Sequence, residues 1–278
     1  MKIFILIVLF SVLSFSILFA GQREYQLNDT AEVVKTALDY ADGFYSGDAV
    51  RMERALHPDF NKVSPMKVSE TGNTILYYST FSGLIEMSRA KSGLLDEDKR
   101  KIKVIVLKID GDIAFVKINT AMFNDYLEMV KISEHWKIIN VLWTDGADSP
   151  RKKSSSDFNP EIEKDAIILA VTDLYEGIFT GDASRLDRSL HTEYNGASIS
   201  KMTKNSVIIT KDGFSLLREV AQSKMRLLEK DKWNLKIDIL DIMDGLAAVE
   251  VNLPSSLNYY QLAKMDGKWK IINGLKKF

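Results

Sequence analysis

Two α+β domains in tandem, each opening with three helices and closing with a run of strands, are what this 278-residue chain predicts. Three observations carry that expectation. The first is an internal repeat. Residues 43–48 read GFYSGD and residues 177–182 read GIFTGD, Leu56-His57 recurs as Leu190-His191, Asn61 as Asn195, and WKIIN stands at both 136–140 and 269–273. The second is the change of apolar period inside each copy, from helical to β. The third is the polar stretch DSPRKKSSSDFNP between the copies, which reads as a linker. The boundaries that follow are 28–147 for the first copy, 148–159 for the linker and 160–278 for the second copy.

The elements follow in order. Val34, Ala37, Leu38, Ala41, Phe44 and Tyr45 form one helical stripe, and Ile168, Val171, Tyr175, Ile178 and Phe179 form its counterpart. Gly47 and Gly181 suit the left-handed residue that ends such a helix. Asp48 and Asp182 then fit as N-caps of a short second helix ending near His57 and His191. A third helix is expected over about 80–91 and again over about 213–228. After it come the β-rich runs 101–109, 113–122, 126–132 and 136–143, with NLKIDILDI, LAAVEVNL, NYYQLAKM and WKIINGL in the second copy. Asp110-Gly111 and Asp244-Gly245 mark hairpin turns. Each copy is therefore read as three helices and an antiparallel meander.

Residues 1–20 have one Lys, an uncharged run from Ile3 to Phe19, and Ala20 before Gly21. That is the layout of a secretory signal cleaved before Gly21, the alternative being an uncleaved anchor. A protein working outside the cytoplasm, periplasmic or secreted, is the expectation.

Composition excludes several chemistries. There is no cysteine, so disulfides, thiolate catalysis and iron–sulfur clusters are ruled out. With 37 basic against 38 acidic residues the net charge is −1, which gives no electrostatic ground for a nucleic-acid partner. The three histidines, His57, His135 and His191, do not stand at zinc-ligand spacing. No phosphate loop, no GxSxG elbow and no complete calcium loop occurs, so neither a metal nor a cofactor is expected.

The order helix, Gly-Asp, short helix into L-H-P-D-F, third helix, and strands ending in W-K-I-I-N resembles the nuclear transport factor 2-like superfamily. Within it, the chain looks like the group described as putative lumazine-binding, related to the ketosteroid-isomerase and SnoaL-like proteins. The resemblance covers both copies. It implies a curved antiparallel sheet wrapped on the helices into a cone, whose mouth holds a small apolar molecule. Ketosteroid isomerase works with an Asp base and Tyr and protonated-Asp donors. No matching set is legible here: Tyr40 and Tyr45 lie on the first helix, while Asp238 and Asp241 occur in the second copy only.

Six shared residues are the candidates for a ligand site. His57 and His191 are read either as hydrogen-bonding groups at the cone mouth or as residues closing the second helix. Trp136 with Asn140, and Trp269 with Asn273, fall on one strand face by alternation. There they either line a pocket, the ring stacking on a planar ligand and the amide orienting it, or pack in the core. The leading expectation is an exported, non-catalytic binding module for a small molecule or an envelope protein. The alternative is an isomerase, dehydratase or cyclase using a cavity His or Tyr. A third reading is a filled structural cone, with a cavity below about 300 Å³. The strands are apolar on both faces, Val104 and Val106 opposing Ile105, Leu107 and Ile109. The bare face and a linker reaching up to ~60 Å predict an internal pseudo-dimer and a monomeric chain.

Overall fold

The computed structural model describes residues 28–152, 158–203 and 206–278. The expected signal segment over 1–20 and the middle of the expected linker lie outside the described residues. In the first copy, helix α1 (28–46) leads through Gly47, at φ 71°, into α2 (Ala49–Ala55). Strands β1 (Leu56–Lys67) and β2 (Thr74–Thr80), helix α3 (Phe81–Arg89), and strands β3 (Lys103–Asp110), β4 (Ile113–Asn119), β5 (Phe123–Ile132) and β6 (His135–Asp145) follow. The second copy repeats this as α4 (Pro160–Thr180), α5 (Ala183–Ser189), β7 (Leu190–Thr203), β8 (Ser206–Gly213), α6 (Phe214–Gln222), β9 (Lys236–Met243), β10 (Leu246–Leu253), β11 (Ser256–Met265) and β12 (Lys268–Lys277).

The caps sit where the sequence puts them. The Asp48 carboxylate accepts the backbone N–H groups of Val50 and Arg51, and Asp182 accepts that of Ser184. The first helices are pinned to the second by buried acids. Asp39 is gripped by Arg51 and Arg54, and Asp173 by Arg185 and Arg188. The buried stripe is rotated by about one residue from the expected one: Val33, Ala37, Tyr40, Ala41 and Tyr45 are buried, while Ile168 is 39% exposed.

The α+β class holds, with two strands per copy that the sequence reading lacked. Each sheet has six strands, in the orders β2-β1-β6-β5-β4-β3 and β8-β7-β12-β11-β10-β9. Both are mixed, because β1 runs parallel to β6 and β7 parallel to β12. β1 and β7 escape pattern reading because their burial does not alternate: Val63 and its neighbours Lys62 and Ser64 are all buried.

Each sheet has two covered faces. One carries the helices over a core that includes Ala37, Tyr45, Leu127 and Ile138 in the first copy and Ile167, Leu174, Leu262 and Ile271 in the second. The other faces the sister sheet. Val63, Phe115, Tyr126 and Leu142 form one continuous cluster with Ala197, Ala248, Tyr259 and Leu275. The two copies thus dock sheet to sheet, as the apolar outer faces anticipate. A bulge in β3 between Val106 and Lys108 shifts the pattern: Leu107 joins the inter-copy cluster and Ile109 packs on the helix side.

Candidate functional site

Bulges also decide where the six candidate residues lie. β6 skips Ile139 against β5, pairing Glu128 with Asn140 and Met129 with Ile138. β12 skips Ile272 in the same way, pairing Gln261 with Asn273 and Leu262 with Ile271. Alternation breaks at that point. Trp136 and Ile138 stay on the helix face, while Asn140 turns to the sister sheet. The expected grouping of Trp136 with Asn140, and of Trp269 with Asn273, is therefore corrected.

Asn140 and Asn273 are fully buried between the copies. Asn195 donates to the Asn140 Oδ1 at 2.7 Å, and Asn61 donates to the Asn273 Oδ1 at 2.9 Å. Asn140 donates in turn to Glu128 at 2.7 Å, and Asn273 to Gln261 at 2.7 Å. Gln261 then donates to the Tyr126 carbonyl at 2.8 Å. These amides join the two copies. The tryptophans brace the starts of the first helices: Trp269 donates to Glu163 at 2.7 Å and Trp136 to Asp29 at 3.4 Å. Both rings are core.

His57 and His191 lie on the strands after the short helices. Each Nδ1 accepts a backbone N–H two residues on, from Asp59 at 3.0 Å and Glu193 at 3.1 Å. Each closes a local turn rather than capping a helix carbonyl, and burial pushes both imidazoles below their usual range. None of the six lines either cone cavity.

The first cone holds a cavity of about 360 Å³ walled by Phe44, Leu84, Met87, Met122, Phe123 and Trp143. Tyr40 and Lys62 stand at its polar end. The Lys62 ammonium donates to the Tyr40 hydroxyl and to Asp125 Oδ2, the latter at 3.1 Å, and Tyr40 donates to the same oxygen at 2.6 Å. Three rings surround the ammonium, with centroids at 5.2, 5.0 and 4.9 Å for Tyr40, Phe123 and Trp143. Arg151 stacks on the outer Trp143 ring at 5.2 Å. Burial pushes the Lys62 ammonium down and the Asp125 carboxyl up, while their ion pair opposes both shifts. Burial, then Asp125, pushes the Tyr40 phenol far up, so it stays protonated.

Two protein acceptors account for two of the three ammonium donors. The third has no hydrogen-bond acceptor among the described residues. The Trp143 indole N–H is buried without a partner and supplies a second donor in the same wall.

Sequence reasoning missed this set because it looked for residues shared by both copies. Asp125 pairs with Trp143 as Asn258 pairs with Lys276, and Lys62 follows Asn61 as Gly196 follows Asn195. Tyr40 follows Asp39 as Leu174 follows Asp173. The triad Tyr40–Lys62–Asp125 thus becomes Leu174–Gly196–Asn258 in the second copy. The available signal was a lysine, Lys62, just before an apolar residue in the middle of β1, and an acid, Asp125, in the first half of β5.

The second cone has a smaller cavity of about 270 Å³, under the ~300 Å³ of a drug-sized ligand site, lined by Tyr175, Phe179, Tyr194, Trp233, Tyr260, Arg226 and Lys276 among others. Tyr175 and Tyr260 hydrogen-bond to each other at 2.9 Å.

Comparison with known proteins gives one family. The family described as putative lumazine-binding matches twice, over residues 28–144 and 163–276. No curated protein matches. Similar solved structures include a nuclear transport factor 2-like protein of unknown function from Silicibacter pomeroyi, 17% identical, covering 43% of this chain and 98% of its own at a TM-score of 0.36. Another, from Methylobacillus flagellatus, is 17% identical and covers 45% and 98%, with a TM-score of 0.33. The association domain of CaMKII from C. elegans is 13% identical and covers 42% and 97%, with a TM-score of 0.31.

Proposed function

Since the chain belongs to the putative lumazine-binding family, with nuclear transport factor 2-like domains in tandem, we propose that it is an exported, non-catalytic binding protein whose first cone takes a planar, acceptor-rich small molecule. The observation that carries this reading is the titratable lining of the first cavity. Among the described residues it consists of Tyr40, Lys62, Tyr77 and Arg151. These donate hydrogen bonds and attract electron-rich atoms. No carboxylate or imidazole is among them, and Asp125 lies behind Tyr40 and Lys62 rather than at the cavity wall. Acid–base chemistry on a substrate needs a base within hydrogen-bond reach, so the lining favours recognition over turnover. The aromatic walls fit a flat ring system, and the free ammonium donor meets a ring carbonyl or nitrogen.

Export rests on the residue pattern over 1–20. A monomeric state is supported by the sheet-to-sheet docking, which uses the outer face of each copy within one chain.

The test uses lumazine as the probe and follows quenching of tryptophan fluorescence. Saturable binding is expected. The double variant Lys62→Met, Asp125→Asn removes the donor without leaving a buried charge, and it should weaken binding by at least about tenfold. Equal binding by the variant and the wild type would overturn the assignment of Lys62, and so would lumazine failing to bind at millimolar concentration.

A further inference from the structure

The second cone differs from the first in a way that selects a different ligand. Arg226 and Lys276 both line its cavity. Among the described arginines, Arg226 alone has no carboxylate oxygen within 4.0 Å; the others are all paired. Lys276 has none either, and its ammonium rests over the Phe278 ring at 5.6 Å. The third cation of the lining, Lys232, is paired with Glu229 at 2.6 Å.

The two unpaired cations are close enough to repel. The Lys276 ammonium is pushed down first by burial and further by Arg226, with Asp212 acting against both. Asp212 is the acid that faces this pair. Its Oδ1 is buried without a partner, and it lies so close over Gly196 that a Cβ there would sit 1.6 Å from this oxygen. Gly196 thus makes room for a carboxylate where the first copy has the stem of Lys62. Asp212 is thus the side-chain carboxylate set against the two cations that line the cavity.

The first cone lacks this feature. Lys91 and Lys224, both in the left-handed region, end the third helices at matching positions. Two residues on, Gly93 stands where the second copy has Arg226, and Trp143 stands where it has Lys276. The cation pair is therefore specific to the second copy and not a consequence of the fold.

We infer that the second cone binds a small organic carboxylate. Its head group lies between the Arg226 guanidinium and the Lys276 ammonium, and its apolar body lies against Phe179, Trp233 and Leu174. At about 270 Å³ the cavity limits the body to about one ring with a short chain. The two cations attract an anion, and the planar guanidinium suits a carboxylate in two-point contact. This inference stands apart from the ligand of the first cone.

The experiment is a titration of the ¹⁵N-labelled full chain with 3-phenylpropionate and with its neutral amide, 3-phenylpropanamide, read on the tryptophan indole N–H signals. The chain has four tryptophans, and they report separately. Trp233 lines the second cavity, Trp143 the first, and Trp136 and Trp269 are core. The carboxylate should shift Trp233 and leave Trp143 in place, binding at least about tenfold tighter than the amide. Arg226→Gln and Lys276→Gln should each weaken it by about tenfold with the other indole signals unmoved, which shows the fold intact. The Lys62→Met, Asp125→Asn variant should bind it as the wild type does. Equal affinity for acid and amide would overturn the inference. So would a shift confined to Trp143, an unaffected Arg226→Gln variant, or no saturable shift at millimolar probe.

Discussion

Asp125→Ala is expected to lower the stability of the protein by about 3–5 kcal/mol, the cost of leaving a buried charge without its partner. Lys62 and Asp125 are 8% and 0% exposed at their side chains, and the ammonium sits among three aromatic rings with Asp125 as its counterion. Removing the carboxylate leaves that ammonium with the Tyr40 hydroxyl alone. The double variant Lys62→Met, Asp125→Asn should recover most of the loss, because it removes both charges together. Urea unfolding of the three proteins at one pH measures this. A cost below about 1 kcal/mol for Asp125→Ala would mean that water entering the cavity, not Asp125, satisfies the lysine.

Glu128→Gln is expected to stabilise the protein, and by more as the pH rises. Glu128 and Gln261 occupy matching positions on β5 and β11. Gln261 accepts from Asn273 and donates to the Tyr126 carbonyl across the domain interface. Glu128 accepts from Asn140 in the same manner, but its Oε1 is buried without a partner. Pseudo-symmetry sets that oxygen where the Gln261 Nε2 stands, a position that calls for a donor. Only a protonated carboxyl supplies one. Burial accordingly pushes Glu128 up to about 8, with Asn140 and the more distant Lys211 pulling the other way.

The sign follows from proton uptake. Between the usual glutamate value and about 8, the folded protein keeps a proton that the unfolded chain has lost, so stability falls as pH rises through that window. Below it both states are protonated, and the penalty vanishes. For a rise from 4.5 to about 8 the total is about 5 kcal/mol. Glu128→Gln supplies the donor permanently. Its advantage over the wild type should be small near pH 4.5 and grow to about 4 kcal/mol at pH 8. Unfolding midpoints at pH 5 and pH 8 check it. Parallel changes in the two proteins would show that Glu128 is not the titrating group.

What was legible in the sequence is what the two copies share. Gly47 and Gly181, Asp48 and Asp182, and the repeated WKIIN fixed the duplication, the helix ends and the last strand, because turn and cap chemistry is local. β1 and β7 were not legible. They join parallel partners far along the chain and carry buried polar residues that break any alternating pattern. The bulges at Ile139 and Ile272 were invisible for a related reason. A one-residue slip is a property of the pairing, not of WKIIN, and it carried Asn140 away from the face of Trp136. The proposed ligand site lies outside the residues that the two copies have in common. Tyr40, Lys62 and Asp125 are what the first copy does not share with the second.

The first cone is proposed to hold a small molecule through Lys62. Native mass spectrometry of the protein purified from its own host tests it most directly. The predicted spectrum shows a single chain carrying a retained small molecule, which the Lys62→Met, Asp125→Asn variant prepared in the same way loses. A wild-type chain that emerges without any adduct, or a variant that keeps the same adduct at the same occupancy, would contradict it.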